Sequence, residues 1–300
     1  MTQRTTLRKP TTTPKKRGTG FAALPSPDTG DADSGKCWQS RMKRFMVSHA
    51  TVVVPSFSVT AGVVIWAVAT SLSPSPIMPT PLEVLESLFA LMVSGTLIHD
   101  AAVSLQRIVV GFILGCAVGI PLGLAMGLFR TVRAIFDPIV QFLRFVPPIA
   151  WLIPAIIWFG TGETSKVLII FYMTVFLVLL NTMSGVSAMR LNYIRAAQSY
   201  EIKRWQLFMW IVVPATMSYS VAGARIALGN SFAAVVGAEL IGASAGLGFR
   251  IIDSGKWMAM GDMFGVMLVL GLLGIAADQI VNLAASRYLG RFLTNGDHEH

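Results

Sequence analysis

The sequence predicts an all-α membrane protein whose chain crosses the bilayer about six times. Hydrophobic residues make up 54% of its 300 positions and charged residues only 13%, whereas an ordinary soluble domain carries about 25% charged residues. So few charges cannot cover the surface of a soluble globule, and the excess apolar surface must therefore face lipid. The apolar residues also gather in runs of about 20, which is the length a helix needs to cross the hydrocarbon core.

The first 45 residues form a polar and basic segment that we expect to be a disordered cytoplasmic tail. They are rich in Thr, Lys, Gly, Pro and Asp and show no helical periodicity. Ten basic residues precede His49, and a basic segment ahead of a membrane span sets topology. No nucleic-acid recognition motif accompanies the net charge of +9, so we do not expect nucleic-acid binding. At the other end, residues 294–300 are expected to be a solvated tail rather than a metal site.

Residues 46–293 are expected to form one transmembrane domain, with a first span at Ala50–Leu72. The next stretch opens with the loop sequence SPSPIMPTP. Its uncharged part from Ser87 to His99 is too short to cross a membrane, so we predict an amphipathic helix at the interface. The remaining spans are predicted at Ile108–Leu128, Ile139–Phe159, Val167–Met189, Leu207–Gly229 and Met263–Leu283.

Two of these spans are irregular. Three prolines interrupt the third, and they either only kink a helix or free backbone carbonyls that line a watery pathway: Pro147, Pro148 and Pro154. The fifth span either ends near Gly229 or continues through Leu240 as a broken or re-entrant helix. Its small residues are predicted to form one face for tight helix packing, which two copies of the chain could share: Ala222, Gly223, Ala227, Gly229, Ala233, Ala234 and Gly237.

The basic residues predict the orientation of the chain. Six spans put both termini on one side, and eighteen of the 24 lysines and arginines then lie on that side. The opposite loops hold only Lys166, Arg250 and Lys256. Because cytoplasmic loops carry the excess of basic residues, we expect the N-terminus in the cytoplasm of a multi-pass cell-membrane protein. The other three lie in or at the edge of spans: Arg107, Arg144 and Arg225.

The cytoplasmic loop at 191–206 has the composition of a helix rather than of a simple polar connection. It carries Ala196 and Ala197 beside the basic residues Arg195, Lys203 and Arg204. A helix this short is marginal in isolation. We therefore expect it to pack on another protein.

This loop resembles the cytoplasmic signature of importer permeases of the ATP-binding-cassette class, E-A-A-x3-G-x9-I-x-L-P. Arg195, Ala196 and Ala197 take the place of E-A-A, and Glu201 stands where the glycine belongs. Ile211, Val213 and Pro214 follow in register without a gap. The resemblance implies that the segment docks on a separate ATPase subunit, and the Arg195 and Glu201 departures concern the shape of the docking loop.

Further stretches resemble the nitrate, sulfonate, taurine and bicarbonate branch of these permeases. They are FLRFVPPIAWLIPAIIWFGTGETSK from Phe142, GARIALGNSFAAVVGAEL from Gly223, and Gly246-Leu247-Gly248, within a similarity that covers Pro81 to Leu293. The resemblance implies a type I importer permease without enzyme activity or cofactor. It also implies three partners: an ATPase, an extracytoplasmic solute-binding protein and a second permease copy. The solute would be a small anion such as an aliphatic sulfonate, taurine, nitrate or bicarbonate.

Polar and proline residues within the spans are candidates for the translocation pathway, because a charge in a membrane is costly unless it is paired or hydrated. A guanidinium there suits an anion. The alternative is internal pairing, for example of Arg225 with Glu239, and Asp278 is a further ionisable group in a span. The candidate pathway residues are Arg144, Pro147, Pro148, Trp151, Arg225, Asn230 and Glu239.

Other functions fit the sequence less well. GTGETSK at Gly160–Lys166 lacks the second glycine of an ATP-binding loop and is predicted to lie outside the cell. An intramembrane enzyme lacks a catalytic or metal-ligating constellation. A self-sufficient secondary transporter or channel remains the alternative, but it predicts internal repeats. It also leaves the 191–206 loop without a role.

Overall fold

The computed structural model of this chain describes residues 57–73, 75–189 and 203–293, so the predicted tails 1–45 and 294–300 lie outside it. The chain divides at Ala61, and the first unit contributes only residues 57–61 to the description. The described residues are almost entirely helical, which confirms the all-α class. The helices are α1 Phe57–Leu72, α2 Pro81–Val93, α3 Thr96–Leu128, α4 Arg130–Leu143, α5 Leu152–Phe159, α6 Glu163–Ala188, α7 Trp205–Glu239, α8 Leu247–Lys256 and α9 Met260–Leu293.

Four of these helices are long and apolar enough to cross a membrane: α3, α6, α7 and α9. The α4–α5 pair would add a fifth span if its two bent halves count as one. The apolar helix α1 is shorter, and the first residues of the span predicted at Ala50–Leu72 lie outside the described part.

A stripe of glycines brings α3 against α6. A Cβ on Gly115 would lie 2.5 Å from the Thr174 side chain, and one on Gly123 would lie 2.6 Å from the carbonyl oxygen of Leu179. The two helices can approach this closely only because the glycines have no side chain. Successive glycines meet successively later residues of α6, so the helices run parallel. The stripe consists of Gly111, Gly115, Gly119, Gly123 and Gly127.

Helix α7 packs antiparallel on another face of α6. A Cβ on Gly185 would lie 2.6 Å from that of Tyr219, and one on Gly223 would lie 2.6 Å from that of Asn181. Two hydroxyl pairs also join the helices, Thr182 to Ser220 at 3.0 Å and Thr174 with Ser231 at 3.2 Å. The predicted single face of small residues is therefore divided, since Gly223 and Ala227 are buried whereas Gly229 and Ala233 are exposed.

The third predicted span is not one helix. Helix α4 begins at Arg130 rather than near Ile139, and its axis makes an angle of 91° with that of the Pro148–Phe159 segment. The second half opens as a 3-10 turn at Pro148–Trp151 and continues as α5. Proline lacks a backbone N–H and disfavours helix in the residue before it, which accounts for the break at Pro147-Pro148.

The boundaries around α2 and α3 also differ from the prediction. The interfacial helix is α2, which ends at Val93, while His99 lies in α3, so the segment predicted at Ser87–His99 is divided. Thr80 and Glu83 form reciprocal capping bonds of 3.2 and 2.9 Å that start α2 ahead of the predicted segment. Gly95, at φ 74°, separates the two helices. The second and sixth spans are likewise longer than predicted.

Candidate functional site

Two adjoining cavities lie beside the broken α4–α5 segment. The first, about 200 Å³, is lined by the 3-10 turn and by residues of α6 and α7, among them Asn230 and Gly237. The second, about 330 Å³, is lined by the end of α4 and by α6, from Arg144 to Leu180. Because the two share Pro148 and Met173, we describe them together as the proline groove.

Arg144 is the charged residue that lines the proline groove. It is exposed at the C-cap of α4, and its guanidinium carbon lies 4.7 Å from the centre of the Phe145 ring. Within the described residues, no carboxylate lies at ion-pair distance from it. The α6 residues of the same cavity, Tyr172 to Leu180, occupy the middle of that helix, so Arg144 lies near the middle of the membrane-spanning layer.

Aromatic residues support the break next to Arg144. The Tyr172 hydroxyl donates a hydrogen bond of 2.5 Å to the carbonyl of Leu143, which the end of α4 leaves without a helical partner. Trp151 lies against Tyr172, with ring centres 5.7 Å apart. The buried Trp151 Nε1 has no acceptor among the described residues. The break therefore carries both a cation and an unused hydrogen-bond donor.

The structure brings together part of the predicted pathway set. Arg144, Pro148 and Asn230 line the proline groove, and Pro147 and Trp151 adjoin it in the chain. Arg225 and Glu239 are already bonded to other residues.

The suggested pairing of Arg225 with Glu239 is wrong. Arg225 instead donates to both carboxylate oxygens of Asp278 on α9, at 3.0 and 2.9 Å. Both members of the suggested pair lie on α7, about 21 Å apart along a straight helix at 1.5 Å per residue, so their side chains cannot meet.

Glu239 belongs to a buried set of charged and polar residues, which we call the Arg107 network. The Arg107 side chain is only 3% exposed and donates to both oxygens of Glu163, at 2.5 and 2.6 Å, and to Glu239 at 2.7 Å. Ser104 adds a 2.8 Å bond to Glu239. The network consists of Asp100, Ser104 and Arg107 on α3, Glu163 on α6, Glu239 on α7 and Arg250 on α8.

The Arg107 network also holds the start of α8. The N-cap of this helix is Gly246, which has no side chain to cap it, so the caps come from other helices. Glu239 accepts from the N–H of Gly248 at 2.7 Å, and Asp100 accepts from the N–H of Gly246 at 2.9 Å and from Arg250 at 2.8 Å. A Cβ on Gly246 would lie 2.5 Å from the Glu239 carboxylate, so only glycine fits there.

The sequence analysis missed this network, although a signal for it is present. Asp100, Ser104 and Arg107 are spaced four and three residues apart, which places them on one face of α3. A polar face on an otherwise apolar span indicates polar partners on neighbouring helices.

The predicted docking segment is only partly described. Arg195, Ala196, Ala197 and Glu201 lie outside the described residues. Ile211 lies in a π-helical segment of α7, Phe208–Val212, closed by a bond from the Val213 N–H to the Phe208 carbonyl.

The end of this signature leads directly into the membrane-spanning part of α7. Val212 is buried against Leu124 and Val186, and Pro214 follows it near the start of the α-helical part. Movement at the start of α7 would therefore reach both α3 and α6.

Comparison with known proteins identifies the family. The family model for the inner membrane component of binding-protein-dependent transport systems matches residues 119–290. The chain belongs to this family. A probable ABC transporter permease protein of Brucella melitensis is 35% identical over 70% of this chain and 86% of its own length. The taurine transport system permease protein of Escherichia coli is 38% identical over 71% of this chain and 80% of its own length.

A solved structure supports the same fold. An inward-facing conformation of the MetNI methionine ABC transporter matches with a TM-score of 0.53 over 63% of this chain and 93% of that chain, at 20% identity. The chain is thus a transport permease of the type I ABC importer fold rather than a self-sufficient secondary transporter. Its family works with a binding protein and an ATPase.

Proposed function

We propose that this permease imports a small anion, such as taurine, an alkanesulfonate, nitrate or bicarbonate. It would act as a homodimer, with an ATPase docked on residues 191–206 of each copy, an extracytoplasmic binding protein delivering the solute, and the N-terminus in the cytoplasm. The basic-residue distribution supports this orientation. The taurine permease is among the similar proteins, and taurine carries a sulfonate group.

The position of Arg144 carries the proposal. A guanidinium with no carboxylate partner among the described residues is costly at mid-membrane depth unless it faces water or a bound anion. It lines a cavity beside a helix break, where backbone carbonyls are tolerated because they face protein or water. The proline groove is therefore the proposed pathway.

The chemistry of Arg144 suits an oxyanion. The guanidinium presents a planar fork of N–H donors that matches two oxygens of a sulfonate, nitrate or carboxylate. Asn230 lines the adjoining cavity and provides a further polar group. Because Arg225 and Glu239 are already paired with Asp278 and Arg107, we assign them to holding the helices rather than to contacting the solute.

Transport would follow from movement of α7. ATP binding would bring the two ATPase subunits together and carry the docked 191–206 segments with them. Because α7 continues from this segment to Glu239, the movement would open and close the proline groove between α4–α5 on one side and α6–α7 on the other. The solute would enter from the binding protein and leave into the cytoplasm when ATP is hydrolysed.

Substitution of Arg144 tests this assignment. We expect R144Q to raise the KM for anion uptake about tenfold or more, the effect of losing a charge-assisted hydrogen bond of about 1.5–3 kcal/mol. R144K, which keeps the charge but not the fork, should lie between the two. The measurement is uptake of labelled taurine, methanesulfonate and nitrate by cells that express the full transporter. Unchanged KM in R144Q, with normal amounts of permease in the membrane, would remove Arg144 from the pathway.

A further inference from the structure

A second groove lies between α7 and α9, with a volume of about 670 Å³. Small residues from both helices contribute to its lining, and polar residues of α9 lie at one end. We call it the α7–α9 groove. The residues that matter here are Gly229, Ala233, Gly271, Gly274, Asp278 and Gln279.

The Arg225–Asp278 ion pair lies at the polar end of this groove. The two side chains remain 39% and 41% exposed. Arg225 lies about 21 Å along α7 from Glu239 and about 30 Å from Trp205, at 1.5 Å per residue, so the pair is deep within the span. Acyl chains cannot solvate an ion pair at this depth, and the pair must therefore face protein or water.

We propose that the α7–α9 groove receives a second copy of this chain. The inference rests on the proposed homodimer and names the surface that forms it. The paired guanidinium and carboxylate carry no net charge, which suits a protein interface, whereas the unpaired Arg144 in the proline groove needs water or an anion. Lipid in the groove would leave the exposed half of the pair in hydrocarbon.

The symmetry of a homodimer favours this arrangement. Two copies inserted in the same orientation are related by a two-fold axis along the membrane normal. The Arg225–Asp278 pair bridges two neighbouring helices and so runs across the membrane rather than through it. The two-fold axis reverses such a direction, so Arg225 of one copy would face the carboxylate of the other.

The apolar part of the surface is also suited to a helix. Ile226 and Ile275 are 50% and 59% exposed beside the groove, and Gly229 and Gly271 leave open space next to them. Small residues facing bulky ones allow close helix packing within a membrane.

Cysteine cross-linking tests the contact. Cys37 and Cys116 are first replaced by serine in the full chain expressed with its ATPase, and Gly229→Cys is introduced, where a Cβ meets nothing within 4 Å. We expect a bifunctional maleimide to convert most of this variant into a cross-linked dimer. Val118→Cys is the matched control, since Val118 is 44% exposed at a similar depth on α3 and should stay monomeric on a denaturing gel.

A bulky substitution gives an independent measurement. Gly229→Trp fits the open groove of a single copy but should exclude the second, so the mass of the permease measured in detergent should fall from dimer to monomer. Val118→Trp should leave the dimer intact. Dimers of Gly229→Trp equal in amount to those of the wild type would overturn the inference.

Two further outcomes separate the inference from the function beneath it. If Gly229→Cys fails to cross-link but reacts with a membrane-impermeant maleimide, the groove faces an aqueous pathway and only the inference fails. If the wild type bound to its ATPase contains one permease copy, the proposed homodimer fails, and the inference fails with it.

Discussion

Replacing Glu239 by alanine is expected to destabilise the permease by about 3–5 kcal/mol, the usual cost of removing one partner from a buried ion pair. The Glu239 side chain is completely buried, and it accepts hydrogen bonds from Arg107, Ser104 and the N–H groups at the start of α8. Its loss leaves these donors without an acceptor in a low-dielectric interior. The measurement is the thermal unfolding midpoint of the purified permease in detergent.

Controls distinguish this effect from a general sensitivity to mutation. Glu86→Ala, at an exposed position of α2, should change the stability by no more than about 0.5 kcal/mol. The double variant R107A/E239A should be less destabilised than the sum of the two single variants, because each single change leaves a buried charge behind. An E239A variant as stable as the wild type would show that the Arg107 network does not hold α3, α7 and α8 together.

Adding one methyl group at Gly123 is expected to have a comparable effect. The Cβ of Gly123→Ala would lie 2.6 Å from the Leu179 carbonyl oxygen and 2.9 Å from the Thr182 Cβ, so α3 and α6 must separate. Overpacking of this kind costs about 1–3 kcal/mol in a well-packed core. The expected result is a lower thermal midpoint and less folded permease in the membrane.

The matched control is Gly62→Ala on α1. A Cβ there meets nothing within 4 Å, and alanine favours a helix over glycine by up to about 1 kcal/mol, so this variant should be as stable as the wild type or more so. If Gly123→Ala behaves in the same way, the parallel packing of α3 on α6 is wrong.

Composition and local pattern predict the helical class and most of the spans. Apolar runs define α3, α6, α7 and α9 because each crossing needs the same hydrophobic length. The Pro147-Pro148 pair marks the break, because proline interrupts a helix wherever the helix lies. The 91° bend at that break depends on the helices that receive the second half, so it could not be predicted.

Pairing between distant helices was beyond reach for a different reason. Arg225 bonds to Asp278 and Arg107 to Glu239 because α7 lies against α9 and near α3, and a single sequence does not give those neighbours. The glycine repeat of α3 does indicate a close helix contact, but it does not identify α6 as the partner. Interpreting Glu239 as a pathway residue followed from this gap, since a buried carboxylate and a pathway carboxylate look alike in sequence.

Reconstituted uptake tests the central claim most directly. The purified permease is placed in liposomes with its ATPase, its binding protein and ATP, and entry of labelled taurine, methanesulfonate and nitrate is measured. A permease lacking Arg195–Arg204 serves as the matched control for docking. We predict that uptake of at least one anion requires ATP and the ATPase and is lost with the deleted segment. Uptake that continues without the ATPase would contradict the account.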